Sequence, residues 1–219
     1  MPKDMLEIVS RGLLPEGLRH GELEIDILPA WTEEEVRTWT KDQYWFQGFP
    51  WAPVQRADSS RVWRCIQPVC SWSNRTVLDI GTHYGFFALR AAQAGASVLG
   101  MDIDSQCIRT ARLIDDHIEQ QGVAFQTEDP GGPFDVILYL SVHHQIDPTY
   151  NGLQAKVKNL SSRCQDLFVE LILPHSQRRF GAGRTAVEVD VLVGGQVLDT
   201  YRHRVRGERR IWHVPGRAK

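Results

Sequence analysis

The segment from Val77 to Asp104 constrains this chain more than any other. Thr76-Val77-Leu78-Asp79-Ile80 is a short apolar run. Gly81-Thr82-His83-Tyr84-Gly85 breaks it, and Phe86-Phe87-Ala88-Leu89 with Ala91-Ala92 begins a helix-favouring stretch. A strand that turns sharply into a helix needs residues without a Cβ where the backbone bends or a ligand comes close. The helix start beyond such a turn presents unpaired N–H groups and a partial positive charge. Val98 to Met101 reads as the next parallel strand, and Asp102 closes it where a carboxylate can accept hydrogen bonds from ribose hydroxyls.

The glycine spacing separates two kinds of nucleoside ligand. A dinucleotide site wants Gly-x-Gly-x-x-Gly, whereas this turn reads Asp79-x-Gly81-x-x-x-Gly85 and lacks the second glycine that admits a pyrophosphate. Asp79 would repel a diphosphate but suits a ligand carrying an ammonium group. The pattern resembles motif I of the class I S-adenosylmethionine (SAM)-dependent methyltransferases, and the resemblance runs over about residues 60–175. It implies a turn, Gly81, Thr82, His83, Tyr84 and Gly85, that holds the methionine part beside Asp79. Asp102 is implied at the ribose and an acid after the third strand at the adenine amino group, a role for which Glu128 and Asp129 compete. Ile103 and Ser141 complete the expected cofactor-contacting set, and no metal is expected.

The remaining elements fall in doubly wound order. Ser105 can cap a helix running to about Gln121, since Ile108, Ala111, Ile114 and Ile118 recur at helical spacing and Gly122 ends it. Val123-Ala124-Phe125 is a short third strand, and Gln126–Pro133 is too rich in Pro and Gly for a helix. Phe134–Leu140 and Leu167–Leu173 are near-continuous apolar strands of the kind buried on both faces, with a helix from Leu153 to Leu160 between them. Val187, Val189, Val191 and Val193 alternate like a strand where the topology asks for a helix, and a short helix is favoured. Gln196–Val205 and Arg209–Val214 read as a hairpin. The expected fold is α/β: a Rossmann-like, doubly wound, mostly parallel seven-stranded sheet with a C-terminal antiparallel hairpin. Residues 1–60 form an N-terminal extension or lid and 61–219 the methyltransferase domain. Within the extension, Thr32-Glu33-Glu34-Glu35 starts a helix to about Asp42, and Tyr44–Trp51 is a dense aromatic cluster.

Ligands in open α/β sheets sit beyond the carboxyl ends of the strands, so Ser141-Val142-His143-His144 faces the site. A hydroxyl acceptor must lose a proton, and a histidine titrating near neutrality suits that task. His143 and His144 are the candidates for base or acceptor-positioning group. Glu170, a carboxylate inside an apolar strand, either orients one imidazole or forms a local ion pair. The stretches Leu140–His144 and Val169-Glu170-Leu171 are similar to the methyltransferase domains that terminate bacterial O-antigen chains. Gly81–Phe87 is similar to that branch and to the tRNA wobble-uridine methyltransferase-like branch, and both act on oxygen. No Asn/Asp-Pro-Pro-aromatic motif follows the fourth strand and no Pro-Cys nucleophile occurs, which disfavours amino-methylating DNA enzymes and cytosine C5 chemistry.

The net charge of −2 argues against non-specific nucleic-acid coating. Arg178, Arg179, Arg184 and the run Arg202–Arg210 either grip a phosphate-bearing acceptor or form a solvated face. No apolar run is long enough to span a membrane and no signal-like core follows Met1, so a cytoplasmic location is expected. Cys65, Cys70, Cys107 and Cys164 lack zinc-like spacing; Cys65 and Cys70 could bridge in an oxidising compartment, and otherwise all four read as reduced thiols. Three functions follow: an oxygen-directed methyltransferase acting on a small molecule, sugar or glycan; an RNA methyltransferase; or a non-catalytic methyltransferase-like binding module.

Overall fold

The computed structural model describes residues 59–118, 122–174, 180–181, 183–203 and 207–216. The expected helix from Thr32, the aromatic cluster Tyr44–Trp51, and Arg178 and Arg179 lie outside them.

Seven strands form one sheet: β1 (Thr76–Ile80), β2 (Ser97–Met101), β3 (Val123–Gln126), β4 (Val136–Leu140), β5 (Asp166–Ile172), β6 (Gln196–His203) and β7 (Gly207–Pro215). Their order is β3-β2-β1-β4-β5-β7-β6. β1 to β5 run parallel, and β7 pairs antiparallel with both β5 and β6. The expected sheet and hairpin are therefore present. The order reverses between β1 and β4, and such a switch point opens a crevice at the carboxyl ends of the two strands.

Helices cover both faces. On one, α1 (Ser59–Ile66), α2 (Phe86–Gln93) and α3 (Ser105–Ile118) pack Val62, Trp63, Ile66, Phe86, Leu89, Ile108 and Ala111 against Val77, Val98, Phe125 and Phe168. The other is covered by α5 (Leu153–Ser161) and α6 (Ala186–Val193), which bury Leu153, Val157, Leu160, Val189 and Val193 against Ile137, Tyr139, Val169 and Trp212. Each sheet residue joins one of these cores by its parity along the strand.

The valine-rich segment is a helix, as favoured, and the physical reason is local. The Glu188 N–H donates to Thr185 Oγ1 (3.2 Å) while the Thr185 N–H donates to Glu188 Oε2 (2.6 Å), a reciprocal cap, and Gly194 at φ 65° ends the helix. The alternation survives because residues four apart share a helix face: Val189 and Val193 are buried, Val187 and Val191 exposed. Two details differ from expectation. Ser105 is the first residue inside α3 rather than its cap, since Asp104 supplies the carbonyl that accepts from the Ile108 N–H (3.2 Å). A one-turn helix, α4 (His143–Ile146), also follows β4, in a stretch to which the sequence assigned no element.

Candidate functional site

The turn after β1 has three residues of five in the left-handed region: Gly81 at φ 72°, His83 at 52° and Gly85 at 87°. The N–H groups of Gly81 and Thr82 both donate to the Met101 carbonyl (2.7 and 2.9 Å), which ties the turn to the end of β2. Asp102 continues the tie, its Oδ2 accepting from the His83 N–H and its Oδ1 from the Asp104 N–H, each at 3.0 Å. A Cβ on Gly81 would lie 2.3 Å from Val142 Cγ2, and one on Gly85 would lie 3.0 Å from the Phe125 ring. Both glycines are thus fixed by backbone conformation and by a neighbouring side chain together.

Asp79 is 2% exposed and lies behind this turn. Its carboxylate accepts from Thr82 Oγ1 (2.7 Å) and from the Ala88 N–H in the first turn of α2, and burial pushes its pKa up to about 7. The direct contact with an ammonium group expected of Asp79 is not what this geometry offers; the carboxyl braces the turn against the helix. The His83 ring packs on Tyr84 at 3.8 Å between centroids, and burial lowers its pKa to about 4, so the imidazole is neutral. Ile103, 86% exposed, projects an apolar side chain beyond β2 between Asp102 and Asp104.

After β3, the two competing acids separate. Asp129 binds Arg163 through both oxygens (2.7 and 2.8 Å) and also accepts from the Gly131 N–H, and the guanidinium holds its pKa down to about 2. Glu128 is exposed.

The histidines of α4 are buried, His143 at 3% and His144 at 1% exposure. His143 Nδ1 lies 3.0 Å from the Tyr139 hydroxyl and Nε2 lies 3.6 Å from Asp147 Oδ2. Burial outweighs the Asp147 charge and lowers the His143 pKa, leaving a neutral ring. The His144 ring meets Phe180 edge-on at 5.1 Å. Tyr139, Tyr150 and Phe180, which these rings touch, all belong to the core on the α5–α6 face.

Glu170 faces the other way. It shares its strand parity with Phe168 of the α1–α3 core, while Val169 and Leu171 lie with Tyr139. Its partners are Ser141 Oγ and the Tyr201 hydroxyl, which both donate to it, and Arg209 at 3.4 Å. The expectation that Glu170 orients an imidazole is therefore corrected: the sheet stands between them, and Asp147 is the carboxylate beside His143. Of the two readings of Glu170, the ion pair is the one found.

Arg209, read from sequence as part of a grip or a solvated face, is 5% exposed and also donates to Ser141 Oγ. Arg210 is taken by Asp190 (2.5 Å) and Thr200. Strand alternation carried a signal for Arg209, since it keeps parity with Ile211 of the buried face. Cys65, Cys70, Cys107 and Cys164 are all free thiols. Among the described residues, no helix is long and apolar enough to cross a membrane and no cluster suits a metal ion.

Comparison with known proteins agrees with this architecture. Residues 78–160 match the family model described as a methyltransferase domain. Over 105 residues the chain is 32% identical to the O-antigen chain terminator bifunctional methyltransferase/kinase WbdD of Escherichia coli, a match covering 44% of this chain and 14% of that protein. A solved WbdD structure superposes with a TM-score of 0.68 at 20% identity, covering 82% of this chain and 46% of the other. Magnesium protoporphyrin IX methyltransferase (ChlM) from Synechocystis PCC 6803 with bound SAM gives 0.57 at 23% identity, over 72% of this chain and 77% of that one. The N-methyltransferase NodS from Bradyrhizobium japonicum gives 0.56 at 13% identity, over 72% and 94%.

The fold is that of the class I methyltransferases, whose members use SAM, and over residues 78–160 the chain resembles a methyltransferase domain. Within that stretch the sequence similarity runs to WbdD, of whose length the chain matches only a small part.

The residues present fit that cofactor. Asp102 follows β2, the neighbour of β1, with a carboxylate, Ile103 beside it is exposed and apolar, and the left-handed turn is tied to the same end of β2. When bound, the sulfonium would supply an activated methyl group to an acceptor held against it.

Proposed function

We propose that this chain is a SAM-dependent methyltransferase that methylates an oxygen of a small-molecule, sugar or glycan acceptor. The observation that carries the reading is the meeting of the donor turn and the histidine helix, with Val142 packed directly on Gly81 and followed at once by His143 and His144. In this reading Gly81 to Gly85 cradle the methionine part, Asp102 accepts from the ribose hydroxyls, Ile103 lies against adenine and Glu128 faces its amino group.

Methyl transfer is an in-line displacement, in which much of the rate comes from holding the acceptor against the methyl and excluding water. A hydroxyl acceptor also gives up a proton. Both nitrogens of His143 already face partners, Tyr139 and Asp147. His143 and His144 are the two candidates to take that proton, with Asp147 beside His143. The RNA reading draws less support: of the basic run, Arg209 is buried and Arg210 is engaged with Asp190 and Thr200.

Calorimetry with SAM and S-adenosylhomocysteine tests the premise, and absence of binding to both overturns it. A methyl-transfer screen over hydroxyl, phosphate, carboxylate and RNA acceptors identifies the acceptor; transfer to RNA alone overturns the small-molecule and glycan reading. Of His143→Asn and His144→Asn, the one that removes the base should cut turnover by about 100-fold or more with cofactor affinity kept, the range for loss of a general base. Full activity in both variants removes the assignment.

A further inference from the structure

Four buried or half-buried polar side chains converge on the far side of the sheet from the histidines: Ser141 after β4, Glu170 on β5, Tyr201 on β6 and Arg209 on β7. The proposed chemistry uses none of the last three. We infer that Tyr201 and Arg209, on the C-terminal hairpin, are positioning residues for the methyl-donor turn, acting on it through Ser141 and Val142. This inference rests on the reading of that turn as the SAM site.

Ser141 has φ 62°, a conformation that an L side chain other than Asn or Asp rarely adopts. Such a residue persists only where its surroundings over-determine it. Here they do. Its N–H donates to the Glu170 carbonyl (3.0 Å), its hydroxyl donates to Glu170 Oε2, Arg209 Nη1 donates to the same hydroxyl oxygen, and Gln145 Nε2 donates to its carbonyl (3.2 Å). The Tyr201 hydroxyl occupies the second oxygen of Glu170, and Arg209 balances its charge at 3.4 Å. One carboxylate therefore ties the end of β4 to β6 and β7 as well as to its own strand.

The left-handed residue sets where the chain goes next. Val142 follows, and its Cγ2 fills the space over Gly81, 2.3 Å from where a Cβ would stand. A shift of Ser141 toward an ordinary conformation would swing Val142 off or into the turn whose backbone lines the crevice. The link extends outward as well: Arg61 of α1 lies 5.0 Å over the Tyr201 ring and bonds Asp199 on β6 (2.8 Å).

The test is calorimetry with S-adenosylhomocysteine on the full chain and on Ser141→Ala, Ser141→Gly and Tyr201→Phe, with thermal denaturation beside it. Ser141→Ala keeps the strained backbone and loses the ties, and should weaken binding about tenfold. Ser141→Gly takes φ 62° without strain and should recover to within about threefold of the unaltered chain. Tyr201→Phe, which deletes only the hydroxyl bonded to Glu170, should weaken binding about threefold. Added to Ser141→Gly it should cost nothing more, because the strain it resists is gone. If Ser141→Gly binds as poorly as Ser141→Ala, Ser141 contacts the ligand itself and the inference fails. Equal binding by all three variants and the unaltered chain also overturns it. No binding by the unaltered chain defeats the SAM reading first.

Discussion

Val142 stands where a side chain on Gly81 would have to go, its Cγ2 2.3 Å from the position of a Cβ. Gly81→Ala must therefore displace Val142 and also place a side chain on a backbone at φ 72°. A loss of about 1–3 kcal/mol in folding stability is expected from the strain and the overpacking together. Chemical denaturation measures it. S-adenosylhomocysteine affinity should fall more than about tenfold, which calorimetry reads.

Phe125 lies under the turn from the other side. Its ring is 3.0 Å from where a Cβ on Gly85 would be and 2.6 Å from where one on Gly100 would be, and it is 5% exposed. Phe125→Ala should cost about 3–5 kcal/mol through lost burial and the cavity left behind. Phe125→Leu should cost clearly less. Equal midpoints for both variants in urea would mean that the site collapses to fill the space.

Asp79 predicts a pH dependence whose sign is opposite to that of an ion-paired carboxylate. Unfolded, it loses its proton near pH 4, but in the folded protein burial holds the proton to about pH 7. Its contribution to stability is full below about pH 4 and is lost as pH rises through about 7. Asp79→Asn carries no charge at any of these values. Relative to the unaltered chain it should gain melting temperature from pH 5 to pH 8, by a few degrees, and parallel melting curves across that range would contradict the burial argument.

Much of this architecture was readable in the sequence because it depends on short-range patterns. The strand, the two glycines and the acid closing the second strand each declare themselves within ten residues or fewer. What escaped depends on which strands are neighbours. Glu170 and the histidines are close along the strand ends, yet alternation puts Glu170 with Phe168 and leaves Tyr139 and His143 on the reverse face. No single strand reveals that, because parity on β5 has to be compared with parity on β4 through their register. Arg209 was hidden for the same reason: an arginine in a basic run reads as solvated until β7 is known to lie between β5 and β6. The pairing of Asp129 was hidden because its partner, Arg163, lies more than thirty positions away.

Asp190 joins α6 to the hairpin through two bonds, accepting from Arg210 Nη1 (2.5 Å) and from the Trp212 indole N–H (3.0 Å). Trp212 is fully buried, so its N–H has no recourse to water once Asp190 is gone. Asp190→Ala should cost about 1.5–3 kcal/mol, the range for losing hydrogen bonds to a charged group. Asp190→Asn, which keeps an acceptor, should recover part of that. The two urea midpoints distinguish a bond to the indole from simple charge balance with Arg210.

Among the described residues β7 is the last strand in chain order and lies between two that precede it. During synthesis, at about 5–20 residues per second, β5 emerges with β4 on one side and nothing on the other. Its apolar residues Leu167 to Ile172 present an unpaired edge until Gly207–Pro215 arrive, and β6 has no neighbour at all before then. The nascent chain therefore has a period in which its sheet ends at β5. A stall between residues 173 and 207 would leave a strand edge ready to pair with another copy.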